Sequence, residues 1–270
     1  MENQFVFKRH EVKYLVSDGQ RAYIEHAMEP HMVADEHGES TICNVYYDTP
    51  SHLLVRRSIE KPLYKEKVRV RSYGRHRPGG ELFVELKKKF DGVVYKRRAR
   101  ASEDGARRML AGTSQPVDQI EREIAYAVER YGTLVPSCYI AYDRCAYFAR
   151  NDRSFRMTFD RRIRFRTERL SLSEDTDGER LLAAGFSLME VKCAGAMPLW
   201  LVHELSAMHL YKTSFSKYGV AWERSGAVVE PKLLPAPVPR RSPLSPLRSS
   251  VPPAPACSAA RPRAHDIDGE

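Results

Sequence analysis

Six segments of the chain alternate a charged side chain with an apolar one, and this period of two constrains the fold more than any other feature. Successive side chains of a β-strand point to opposite faces. In LYKEKVRVRSYG, Val68 and Val70 therefore share one face while Lys67, Arg69 and Arg71 share the other. The same alternation joins Arg9, Glu11 and Lys13. It sets Glu85, Lys87 and Lys89 opposite Leu82, Val84 and Leu86, and it recurs at Lys96, Arg98 and Arg100. Arg156, Thr158, Asp160 and Arg162 oppose Phe155, Met157 and Phe159, and Glu190 and Lys192 oppose Met189 and Val191. A sheet of such strands packs its apolar side on helices. If its charged side curls inward, the aligned cations repel unless an anion matches them. Polyphosphate does so, because Arg and Lys meet phosphoryl oxygens with charge-assisted hydrogen bonds. Glu11, Glu85 and Glu190 on the same faces are then expected to be oxygen ligands for a hard divalent cation that bridges phosphates.

Strands are expected near 5–16, 42–48, 63–73, 81–90, 92–101, 137–150, 153–167 and 186–193, with an Asp91-Gly92 hairpin joining the fourth and fifth. Amphipathic helices are expected over 18–29 after a Ser17 cap, over 118–131, and over 198–211 with Pro198 in the first turn. These elements predict an α+β fold of about eight strands, a sheet able to close into an antiparallel β-barrel, with flanking amphipathic helices. Residues 1–230 are expected to form this domain. Residues 231–270 hold ten of the seventeen prolines and no aromatic residue, so they are expected to form a disordered basic tail.

The net charge of +9 favours an anionic partner. The five cysteines show no CxxC spacing and are expected to be reduced thiols in a cytoplasmic protein. MENQFVFKRHEVKY is charged where a signal peptide is apolar, and no membrane span is expected. The histidines lack HxH or HExxH spacing, and no GxxxxGK[ST] or GxGxxG motif appears, which counts against P-loop and dinucleotide folds. Trp200, Trp222, Tyr46, Tyr47, Tyr139 and Tyr142 are expected to pack in the core or wall. Lys88, Arg97 and Arg161, on the opposite pleats, are expected to face solvent.

The ordered series Glu11-x-Lys13, VRVR, ELKKK, YKRR, YDR, FRMTFD, MEVK and SFSKYG, spanning about residues 5–222, resembles the polyphosphate polymerase domain of the vacuolar transporter chaperone (VTC). That family belongs to the triphosphate tunnel metalloenzymes, also grouped as CYTH-like proteins. The resemblance implies a barrel forming a cation-lined tunnel. Lys13, Arg69, Arg71, Lys87, Lys96, Arg144, Arg156 and Lys217 would be its catalytic and phosphate-binding cations, with Ser216 also touching substrate. Glu190 would hold Mn or Mg, with Glu11 beside it. The implied activity transfers the γ-phosphate of ATP to a growing polyphosphate chain, so ATP and polyphosphate are the expected partners.

Arg9 stands where the hydrolase branch carries a glutamate, and Ser214 stands where eukaryotic polymerases tend to carry a lysine. Two alternatives remain at this level. One is a triphosphatase using the same tunnel. The other is a non-catalytic binder of polyanions, although no specific nucleic-acid motif appears.

Overall fold

The computed structural model describes residues 10–91 and 93–226. The proline-rich tail, Arg9 and Gly92 lie outside the described residues. The strands are β1 (His10–Ser17), β2 (Met32–Asp48), β3 (Tyr64–Tyr73), β4 (Leu82–Phe90), β5 (Val93–Ala101), β6 (Val135–Ala149), β7 (Arg156–Arg166), the two-residue β8 (Glu179–Arg180) and β9 (Phe186–Cys193). The helices are α1 (Asp18–Ala27), α2 (Leu53–Glu60), α3 (Glu103–Leu110), α4 (Gln119–Tyr131), α5 (Leu199–Ala207) and α6 (Lys217–Arg224). One antiparallel sheet runs in the order β1-β9-β7-β6-β2-β3-β4-β5, with β8 pairing on β7. The fold is α+β, as the alternation predicts.

The sheet curls but does not close strictly into a barrel: among the described residues no ladder joins β1 to β5. The segment before α6 borders β1 instead. The Thr213 amide donates to the Lys13 carbonyl at 2.7 Å, and Lys13 Nζ donates to the Phe215 carbonyl at 2.9 Å. From β4, Lys87 Nζ reaches Glu11 of β1 at 3.2 Å.

The apolar faces pack outward, as their period demands. Val68, Val70, Val84 and Leu86 meet Met109 and Leu110 of α3 and Ile124 and Val128 of α4. Val16, Met157, Phe159, Met189 and Val191 meet Ile24 of α1 and Leu201 and Leu205 of α5. A third cluster lies on the concave side, where Ile42, Ile140 and Leu188 pack with Val55 of α2 and Tyr218 and Ala221 of α6.

The Ser17 cap and the β4–β5 hairpin are as expected, with Phe90 paired to Val93, whereas Asp118, expected inside its helix, is the cap of α4. Pro198 is the cap of α5 rather than part of its first turn. The eight-residue helices α2, α3 and α6 were not expected. Each spans little more than two turns, too few for an apolar repeat to stand out from the flanking sequence. β2 begins ten residues earlier than expected, because ADEHGEST offers no alternation and its register shifts between Ala34 and Glu39.

Candidate functional site

The inner pleats of the sheet surround a cavity of about 570 Å³, and all eleven site residues expected from the sequence line it. Glu11 and Lys13 come from β1, Arg69 and Arg71 from β3, Lys87 from β4, and Lys96 from β5. Arg144 comes from β6, Arg156 from β7 and Glu190 from β9. Ser216 caps α6, accepting the Gly219 amide, and Lys217 opens that helix. A second cavity of about 800 Å³ shares Glu11, Lys13, Lys67, Lys87, Val94 and Ser216 with the first and adds Lys61, Lys65 and Lys89. The two cavities adjoin along these shared residues, and cations line both.

Glu85, 1% exposed, organises the β3–β5 part of the wall. Arg69 donates to it at 2.6 Å, Arg98 at 2.6 Å and Lys96 at 2.7 Å, and Arg71 lies at 3.7 Å. Burial alone would push its carboxyl up, but these four cations outweigh burial and hold it well below the usual carboxylate range. The sequence placed Glu85 with Glu11 and Glu190 among the expected metal ligands; in the fold four cations converge on it. It serves as the counter-ion of its neighbours. Tyr46 and Tyr142, expected only to pack, also do polar work: the Tyr46 hydroxyl accepts from Arg69 at 2.9 Å and the Tyr142 hydroxyl from Arg71 at 3.2 Å.

The β1–β9–β7–β6 part is built differently. Glu190 accepts from Lys217 at 3.0 Å and faces Lys13 and Arg144, each at 3.4 Å. Arg144 grips buried Asp160 with two bonds of 2.6 and 2.7 Å, and Lys217 reaches the same carboxylate at 2.5 Å. Glu11 takes Lys87 at 3.2 Å and Lys13 at 3.5 Å. Burial and the Glu190 charge would raise the Glu11 carboxyl, but Lys87, Lys192 and Lys13 outweigh both and hold it below its ordinary value. Burial likewise opposes ionisation of Glu190, and Lys217, Lys13, Arg144 and Lys192 prevail. Arg156 stands further along, 3.4 Å from Asp35 and over the Phe148 ring at 4.7 Å.

Glu11 and Glu190 supply only oxygen. Thr158, paired with Glu190 in the β7–β9 ladder, has a buried hydroxyl with no hydrogen-bond partner among the described residues. This oxygen set suits a hard cation such as Mg²⁺ or Mn²⁺. Among the described residues no group of three His, Cys, Asp or Glu side chains can hold a metal by itself. Phosphate oxygens would have to complete the coordination, as they commonly do for Mg²⁺.

Lys67, Arg98, Asp160 and Lys192 share these inner pleats but were not assigned a site role from the sequence, although alternation had placed each on the charged face. Lys88 and Arg97 are corrected: both bind Glu123 of α4, at 3.1 and 2.9 Å, and so fasten that helix to the sheet. Arg161 is likewise paired with Glu39 rather than merely solvated. The four described cysteines are free thiols. No described helix is long and apolar enough to cross a membrane.

A curled antiparallel sheet whose lumen alternates cations with a few buried carboxylates is a triphosphate-tunnel fold. The chain belongs to the VTC domain family, whose profile matches residues 8–224. No curated protein matches the sequence. Among solved structures it is similar to a protein from Hippeastrum described as a candidate adenylyl cyclase with a dominant triphosphatase activity. That pair is 17% identical over 84% of this chain and 98% of the other, with a TM-score of 0.48. It is also similar to candidate adenylate cyclases from Bacillus halodurans and Vibrio parahaemolyticus. The first is 12% identical over 77% of this chain and 95% of the other, TM-score 0.46. The second is 13% identical over 80% and 98%, TM-score 0.43.

Proposed function

We propose that the protein is a metal-dependent phosphotransferase that moves the γ-phosphate of ATP onto a growing inorganic polyphosphate chain. The observation that carries this reading is the adjacency of the two cavities, with cations along the shared wall and beyond it at Lys61, Lys65 and Lys89. A lining of this kind accommodates a linear polyanion longer than one triphosphate, which a hydrolase does not need.

Phosphoryl transfer asks the protein mainly for positioning and charge neutralisation. Arg69, Arg71, Lys96 and Arg144 would bind non-bridging phosphate oxygens and fix the donor in line with the acceptor. Lys13, Lys87, Lys217 and Ser216 would hold the chain end that receives the phosphate. With phosphates bound, these cations would exchange carboxylate partners for phosphoryl oxygens, and Glu190 and Glu11, with the Thr158 hydroxyl, would be the residues that hold Mg²⁺ or Mn²⁺. The bound cation would supply further neutralisation of charge on the transferred group. Incubation with ATP and Mn²⁺ or Mg²⁺, with product length read on a gel, tests the proposal. Chains that lengthen with time support it, whereas ADP release with no product longer than triphosphate overturns it.

A further inference from the structure

Lys67 departs from the pattern of the tunnel. Of the cations that line the first cavity, it alone makes no ion pair among the described residues. Its Nζ donates instead to Ser216 Oγ at 2.8 Å, the same oxygen that caps α6 by accepting the Gly219 amide at 3.0 Å. Lys67 also lines both cavities, so it stands where they adjoin.

The groups around it are cationic. Lys87 is its direct partner across the β3–β4 ladder, Lys65 and Arg69 flank it on β3, and Lys13 approaches from β1. The neighbouring carboxylates are committed elsewhere. Glu11 of β1 binds Lys87 and Lys13, and Glu85 of β4 binds its own set of arginines and Lys96. On β2, Asp48 accepts the Leu54 and Val55 amides and the Tyr218 hydroxyl. Lys217 of α6 is held by Glu190 and Asp160.

We propose that Lys67 is a further phosphate-binding residue of this tunnel and that it takes up a proton from solvent as the phosphate chain binds. The inference rests on the phosphate-tunnel reading above. Burial, and then repulsion from Lys87, Lys13, Lys65 and Arg69, depress the basicity of Lys67 well below that of an ordinary lysine. A phosphate at the junction reverses the sign of that field, so the amine gains a proton and donates a charge-assisted bond to the chain. Ser216 Oγ keeps the Gly219 amide as its donor and can give its own hydrogen to the next phosphate oxygen.

The test is calorimetric titration of the full chain with inorganic tripolyphosphate in EDTA, in two buffers of different ionisation enthalpy, so that bound protons are counted. At alkaline pH, where a lysine of depressed basicity is the first to lose its proton, the wild-type protein is expected to take up more protons per bound ligand than Lys67→Met. Lys67→Met should bind roughly tenfold or more weakly, the scale of one hydrogen bond to a charged group. Lys67→Arg should retain affinity without the excess proton, since guanidinium is always charged. Equal proton counts in wild type and either variant overturn the proposal. A wild-type protein that does not bind tripolyphosphate overturns both this inference and the tunnel reading, so the two failures are told apart.

Discussion

The two carboxylate centres of the tunnel are wired in opposite ways. Around Glu85, four cations converge on one carboxylate, and among the described residues Lys96 and Arg98 pair with no second acid. Around Glu190, the partners are shared: Lys13 also meets Glu11, and Lys217 and Arg144 also meet Asp160. A hub without substitutes holds the wall together, whereas a shared network can release one member and still neutralise its cations. The difference assigns Glu85 to the fold and leaves Glu190 available for chemistry.

Glu190→Gln should break the comparison if it is wrong. Metal-dependent turnover is expected to fall by at least ~100-fold, the scale of losing one electrostatic contributor to a transition state. Folding and tripolyphosphate affinity should be retained or improved, because a negative charge leaves a cationic site. A variant that still turns over with metal would remove the metal-ligand assignment.

Glu85→Gln should act on stability instead, costing about 3–5 kcal/mol as expected when one side of a buried ion pair is removed. Tripolyphosphate should restore much of the lost melting temperature by replacing the counter-ion. If Glu190→Gln destabilises as much as Glu85→Gln, the distinction between hub and network fails.

Lys87→Ala or Arg69→Ala should weaken tripolyphosphate binding by about 1.5–3 kcal/mol, measured by titration. Unchanged affinity would argue that the wall does not contact phosphate.

The acid limb of stability gives a subtler test. Glu85 is held well below its ordinary value in the folded protein. Its contribution is therefore fully present above the unfolded carboxyl range, about pH 4.3. It is lost as pH falls through and below that range, because the unfolded chain then binds more protons. Melting temperature should drop on acidification, and drop less steeply in Glu85→Gln. The smallest effect is expected from deleting residues 231–270, which should leave turnover unchanged.

Alternation made the walls legible, because the facing of Lys13, Arg69, Lys87 and Glu190 follows from a period of two. What remained hidden was register. Nothing local to Glu85 says that Arg69, sixteen residues away, and Arg98 sit directly across from it in adjacent ladders. Lys67 was visible as a cation on the inner face, but its lack of an acidic partner depends on where β1 and α6 come to lie. Short helices also escaped notice. α6 starts within SFSKYG, where a serine cap and a tyrosine anchored to Asp48 matter more than any apolar repeat.

The pairing of β1 with β9 also governs how this molecule comes into being. Residues 10–17 find their partners at 186–193, while the β3–β4–β5 meander closes on itself by residue 101. Contacts so distant along the chain are slow to form. During synthesis from the N-terminus the meander can assemble early, whereas β1 must wait until most of the domain has left the ribosome. The Glu85 half of the lumen can therefore form on a nascent chain before the half that holds Glu190, whose strands β1 and β9 come from opposite ends of the sheet-forming sequence.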